Sequence, residues 1–471
     1  MQILKHKKVS IFITLIFVTF AWFYYLSSAL NAQDSAQSNQ NAESKKQINY
    51  AYYREIYSQD ISKWEAPNID DSIKQEWQEM QPLPQSPQIQ QNSKDNTFSQ
   101  EKAALGKLLF FERRLSKSQQ IACASCHNAE LAFGDGLSTS FGHNRAKGRR
   151  NSPNIALSSF FEPLFWDGRA DSLESQALMP ITDPLEMAND LDSMVETLQN
   201  TPQYYAFFIL AFGDSALKSN IIKYYPTLFE LDSKKVIESR TLKNGELAYK
   251  NLDSINLESV ITKATQKITL MQNPNIDSMP FLTPKMPLNK TLESTAKSLI
   301  NAENIAKAIA TFERTLTPKN TRFNAFLQGN KNALSDKEIY GLHIFRTSGR
   351  CMNCHYGAAL SDGKFHNIGL SFYGRKLQDL GRYEITRDPS DVGAFKTPSL
   401  IQVAKSAPYM HNGIFPHLAG VLNMYNAGFP FVLPKEIDKN DPLIPHTTPL
   451  IKPLNLTKDE LSALESFLKT L

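Results

Sequence analysis

Cys123-Ala124-Ser125-Cys126-His127 and Cys351-Met352-Asn353-Cys354-His355 are two copies of one pattern, and together they use all four cysteines of the chain. Two thiols on one turn can add to the two vinyl groups of a haem, and the histidine that follows reaches the iron from the proximal side. A zinc site or two disulfides would use the same cysteines, but neither needs a histidine after each second one. The pattern predicts two covalently bound haem c groups, with His127 the proximal ligand of the haem 1 iron and His355 that of the haem 2 iron. No cysteine remains for a disulfide, a lipid anchor or a thiol nucleophile.

The pentapeptides lie 228 residues apart, and each follows a similar amphipathic stretch ending in an aromatic: Glu101 to Phe111 (EKAALGKLLFF) and Asp336 to Phe345 (DKEIYGLHIF). Such a repeat predicts two cytochrome c-like helical units. Further helices are expected at Ser172 to Met179, Ser193 to Phe212, Ala302 to Leu327 and Lys458 to Leu471, the last opened by Thr457 with Glu460 three positions on. Strand patterns are scarce, so the fold class is all-α, two haem domains with long loops.

The chain as a whole has ordinary globular composition, with 471 residues, 41% hydrophobic and 21% charged, and a formal charge of +4. Much of that excess is Lys5, Lys7 and Lys8, so the body lacks the basic field a nucleic acid would require. Val9 to Leu26 is eighteen residues without a charge, a length between a signal-peptide core and a spanning helix. Export follows either way, which agrees with haem attachment after translocation. The expected location is periplasmic, soluble or tethered to the inner membrane by the N-terminal segment.

The organisation read from these features is a signal peptide or membrane anchor over 1–32 and a low-complexity tether over 33–96. An N-terminal haem domain over 97–225, an insertion of no legible role over 226–296 and a C-terminal haem domain over 297–471 follow. Tyr50 to Trp77 breaks the tether with six tyrosines or tryptophans, and where it docks cannot be read from sequence.

Several strings beyond the haem motifs resemble the bacterial dihaem cytochrome c peroxidase family, which includes MauG-type enzymes that oxidise protein tryptophans. They are LGKLLFFERRLSKSQQIACASCHN, GRRNSPN, LFWDGRADSLESQALMPITDPLEM, ERTLTP and VGAFKTPSLIQVAKSAPYMHNG. The resemblance makes the N-terminal haem the peroxidatic one and implies that Gln176 and Glu186 form its distal pair. Peroxide heterolysis needs a proton moved from one oxygen to the other, and a carboxylate can accept and return it. His143 falls where the family's peroxidases carry a removable sixth ligand of the haem 1 iron, and Trp166 matches the tryptophan between the haems. Asn151, with the carbonyls of Ser406 and Pro408, matches an interdomain calcium site.

For the haem 2 iron the family uses either a methionine or, in MauG-type members, a tyrosine in the helix after PYMHNG, and this chain offers Met424 and Tyr425 side by side. Neighbours on a helix point about 100° apart, so only one can face the iron. Tyr425 continues the apolar stripe of Leu418, Val421 and Leu422 and lies fourteen residues after His411, so it is the expected ligand, with Met424 the alternative. His6, His343, His366 and His446 are expected to be no ligands.

The resemblance implies an oxidoreductase that reduces hydrogen peroxide with electrons from a small donor protein, a cytochrome c or a cupredoxin, passed from the C-terminal to the N-terminal haem. The alternatives are a MauG-type oxidase of residues on a partner protein and a pure dihaem electron carrier. The resemblance also allows a homodimer and an N-terminal membrane anchor.

Overall fold

The computed structural model describes residues 48–84, 95–222, 224–225, 227–229, 240–241, 247–248, 256–318 and 320–471. Val9 to Leu26 lies outside them. No helix among the described residues is long and apolar enough to cross a membrane. Contacts divide the chain into Met1–Tyr52 and Tyr53–Leu471. In the first unit the described residues begin helix α1 (Tyr50–Tyr57). The second is mostly helical, and among its described residues the strands are two antiparallel two-residue ladders: β1 (Arg240–Thr241) with β2 (Leu247–Ala248), and β3 (Phe365–His366) with β4 (Phe395–Lys396).

The sequence repeat reappears as two crossed helix pairs. Helix α2 (Gln100–Phe110) starts where Ser99 accepts the Lys102 N–H, and it turns Ala104, Leu105, Leu108 and Leu109 inward. Helices α3 (Leu173–Thr182), α4 (Leu191–Gln199), α5 (Tyr205–Phe212), α6 (Ser215–Ile222), α7 (Leu257–Leu270) and α8 (Lys290–Leu299) follow. Helix α9 (Ala302–Glu313), capped by Asn301, then packs against α2. In the second pair, α10 (Asp336–Arg346) opens with a Ser335–Glu338 capping box and packs against α12 (Lys458–Leu468), opened by the expected Thr457–Glu460 box. Between them lies α11 (Leu418–Asn426).

Both crossings depend on a glycine. A Cβ on Gly106 would stand 1.9 Å from the Ala308 carbonyl oxygen, and one on Gly341 would stand 2.0 Å from that of Ala463. Gly341→Ala therefore lowers stability by about 1–3 kcal/mol through overpacking, against ~1 kcal/mol returned by helix propensity. Chemical denaturation of the haem-loaded protein measures this, and an unchanged midpoint would show that the crossing opens without cost.

Two expected helices are split. Ser193 to Phe212 breaks between α4 and α5, because Asn200 and Thr201 close the first on its own carbonyls and Pro202 starts a new turn. Ala302 to Leu327 breaks after Glu313, and Pro318 separates α9 from the short helix Arg322–Leu327, since proline cannot continue the ladder. Helix α9 packs with the N-terminal haem-motif helix although it follows residue 297. The described part of the expected insertion also joins that core, through Ile261, Ala264, Ile268, Leu292 and Ala296 beside Leu105 and Leu109.

Residues 53–83, inside the stretch expected to be a tether, form a strap on α10 and the second haem motif. Arg346 is 1% exposed and is held by both Glu79 oxygens, at 2.6 and 3.0 Å. Asp70 N–H donates to Asn353 Oδ1 at 2.7 Å, and Asn353 Nδ2 donates to the Asn68 carbonyl at 2.9 Å. Tyr57 Oη lies 3.2 Å from His343 Nδ1, which gives that histidine a structural role.

Candidate haem sites

Each pentapeptide folds as one tight turn, Cys123–Cys126 as an α-turn and Cys351–Asn353 as a 3-10 turn, with the histidine just beyond. All four thiols are free of disulfide bonds. His127 Nδ1 lies 2.8 Å from the Phe133 carbonyl and His355 Nδ1 lies 3.0 Å from that of Leu360. Each Nδ1–H thus donates to a backbone oxygen, which leaves Nε2 with its lone pair for a metal. Burial pushes both imidazole pKa values down, so both rings stay neutral as ligands require.

A cavity of about 630 Å³ is walled by Cys123, Cys126 and His127, and one of about 200 Å³ by Cys351, Cys354 and His355. The donor set and the paired thiols fit a haem at each motif, and at the first the volume does too.

Gln176 and Glu186 both line the larger cavity with His127. Gln176 stands on α3. Pro180 cannot donate to the Gln176 carbonyl, the helix ends at Thr182, and the chain turns back so that Met187 N–H reaches the Pro180 carbonyl at 3.1 Å. That reversal carries Glu186 to the cavity. Burial first, and then the Asp183 carboxylate, raise the Glu186 pKa against the opposing Arg169, so its carboxyl holds a proton more readily than a surface glutamate.

His143 occupies a separate place. It lies on the turn His143–Arg145, where Asn144 and Arg145 are left-handed at φ 53° and 59°. Its N–H donates to the Glu186 carbonyl at 2.6 Å. Its ring is not part of the cavity wall among the described residues, and Nδ1 is buried without a hydrogen-bond partner.

Trp166 lines both haem cavities. Its Nε1–H donates to the Asn151 carbonyl at 2.9 Å, and its own carbonyl accepts the Lys396 N–H at 2.8 Å. Arg150 ties the same region together, pairing with Asp167, with Asp379 at 2.7 Å and with Glu384 at 3.5 Å. Burial raises the Asp379 pKa, but the Arg150 hydrogen bonds and charge outweigh it and hold the carboxyl below its usual range.

Asn151, Ser406 and Pro408 come together on the C-terminal cavity. Asn151 Nδ2 donates to the Leu137 carbonyl, and no carboxylate lines that cavity among the described residues. This is a poor donor set for a calcium ion without water.

Tyr425 lines the C-terminal cavity, with its ring edge-on to Phe429 at 4.8 Å, whereas Met424, one residue away on α11, does not. Met410, which sequence reading did not weigh, also lines it from a left-handed backbone at φ 72°. Glu313 and Lys396 were missed as well. Both stand inside strings that matched the family, and their burial is the signal that sequence lacks.

The family described as di-haem cytochrome c peroxidase matches residues 100–235. The chain is 29% identical over 391 residues to the methylamine utilization protein MauG of Methylorubrum extorquens, covering 82% of each protein. It is 29% identical over 312 residues to the cytochrome c551 peroxidase of Nitrosomonas europaea, covering 66% of this chain and 68% of that one. A crystal structure of a MauG-like protein associated with microbial copper homeostasis aligns at TM-score 0.52 and 26% identity, over 84% of this chain and 93% of that one. The diheme peroxidase BthA from Burkholderia thailandensis shares the fold at TM-score 0.53 and 21% identity, over 80% and 87%. With two haem-attachment turns, two neutral imidazoles beside them and these relatives, the chain is similar to the di-haem cytochrome c peroxidase family of oxidoreductases, a similarity that implies two haem c groups.

Proposed function

We propose that this protein reduces hydrogen peroxide to water in the N-terminal cavity, drawing electrons from a small donor protein through the C-terminal haem. The observation that carries this reading is Gln176 and Glu186 on one cavity wall with His127. The haem iron supplies the redox chemistry. Glu186 accepts a proton from one peroxide oxygen and returns it to the other, Gln176 orients the substrate through its carboxamide, and Trp166 fills the gap between the two cavities. The related peroxidases support the substrate and the donor class. A periplasmic location and two cytochrome c-like domains, the first including α9, complete the proposal.

Tyr425 on the C-terminal cavity favours the second reading, oxidation of residues on a partner protein, as does the similarity to MauG. The pure carrier has no use for Glu186 or Gln176 beside a haem.

The test is a spectrum of the oxidised and half-reduced holoprotein, taken with peroxide turnover in the presence of a donor cytochrome. Because the His143 ring stands off the cavity wall, the N-terminal haem of the oxidised protein is expected to be high-spin and to react with peroxide without prior reduction. His143→Gly then changes the rate by less than twofold. A low-spin resting haem that turns high-spin in His143→Gly would instead make His143 the resting ligand, reached by a swing of its turn. Two haems that stay six-coordinate and inert to peroxide in every state would leave the carrier.

A further inference from the structure

Peroxide reduction as proposed above, on which this inference rests, follows H2O2 + 2 e⁻ + 2 H⁺ → 2 H2O. Glu186 returns the proton it takes, so it supplies none of the two. The electrons come from the donor protein, and the protons must be handed to the oxygen atoms by a group on the cavity wall.

A second buried carboxyl meets that need. Glu313 is the last residue of α9, is 6% exposed and lines the N-terminal cavity. The adjacent Arg314, which would neutralise it, is taken up by Glu174 through two hydrogen bonds of 2.7 and 3.0 Å. The C-terminal end of a helix disfavours a negative charge. Arg314 and Glu174 of α3 act electrostatically on Glu313, which acts in turn on the Cys123 thiol; His127, Glu186 and Lys396 share the cavities it lines, while α2 and α4 bring apolar side chains to α9. Burial pushes the Glu313 pKa up to about 8, against Arg314, which leaves it protonated at neutral pH.

Glu313 also lines a separate chamber of about 110 Å³ beside Gln176, Trp166, Ser158 and Lys396. That volume has room for several ordered waters. Ser158 Oγ is buried there without a hydrogen-bond partner among the described residues, the kind of group that ordered water satisfies.

We propose that Glu313 is the proton-supplying carboxyl of the N-terminal cavity, giving its Oε proton to the oxygen being reduced to water and regaining one through water held in that chamber. Each peroxide discharges Glu313 twice, and solvent replaces both protons.

The experiment follows the midpoint potential of the N-terminal haem and the peroxide turnover of the holoprotein between pH 6 and 9.5. A carboxyl that loses its proton near pH 8 lets the wild-type potential fall through that region, and turnover declines there because the deprotonated form has nothing to give. Glu313→Gln flattens the potential curve, lowers turnover by ~10²-fold, the typical weight of a general acid, and lacks the alkaline decline. A Glu313→Gln protein with the wild-type potential curve and turnover overturns the proposal. If that variant does not accumulate, Glu313→Asp decides: its shorter acid moves the inflection, and an inflection that stays in place overturns the proposal equally. A wild type that reduces no peroxide sinks the parent reading, while the potential curve still reports whether Glu313 couples a proton to the haem.

Discussion

Glu186→Gln leaves haem content and spectra close to wild type and lowers peroxide turnover by at least ~10²-fold, the usual weight of a positioned acid-base group. The amide has nearly the same shape, so the loop 183–187 that returns over Pro180 keeps its hydrogen bonds, all of which run through backbone or Asp183. What disappears is the group that accepts the peroxide proton and gives it back. The raised pKa of Glu186 has a cost in the other direction. A carboxyl whose pKa lies above the usual glutamate range is more protonated in mild acid, so wild-type turnover falls on acidification sooner than an ordinary glutamate would allow. Glu186→Gln loses that acid limb along with the rate. Steady-state turnover from pH 4 to 8 checks both, and a variant with wild-type turnover removes Glu186 from the mechanism.

Tyr425→Phe is expected to change the spectrum of the C-terminal haem and raise its potential. A phenolate brings negative charge to the iron and favours the higher oxidation states, whereas a thioether raises the potential. The wild type accordingly lacks the weak near-infrared sulfur-to-iron band of His/Met cytochromes, and Met424→Leu changes little, because only Tyr425 of the pair stands on the cavity wall. Loss of a sulfur-to-iron band in Met424→Leu would make Met424 the ligand. Loss of such a band only in Met410→Leu would assign it to the thioether on the opposite loop. Potentiometry with near-infrared spectra of the three variants separates these outcomes, and with them the peroxidase and protein-oxidising readings.

Some of this protein is written locally and could be read without a structure. Covalent haem attachment needs two thiols and an imidazole within five residues, so CASCH and CMNCH imply the cofactor and its number and offer His127 and His355 as its ligands. Helix starts such as Ser335–Glu338 and Thr457–Glu460 are likewise chemistry between residues three apart. The phase of α11 is local too, and it points Tyr425 rather than Met424 at the cavity because neighbours on a helix diverge by about 100°.

Whatever depends on partners hundreds of residues apart was decided by the tertiary structure. Sequence shows α9 beginning after the expected boundary at 297, yet burial of its apolar face sets it on α2, in contact through Gly106. The aromatic stretch before residue 83 looks like part of a tether until Glu79 meets Arg346 and Asn68 meets Asn353, since an ion pair is specified only when both ends are placed. His143 donates its backbone N–H to the Glu186 carbonyl, yet its ring is not part of the cavity wall among the described residues. Glu313 looks like any helix-end acid in ERTLTP. Its pKa and its place beside two cavities come from desolvation by the packed helices around it, a property of the fold that no window of sequence contains.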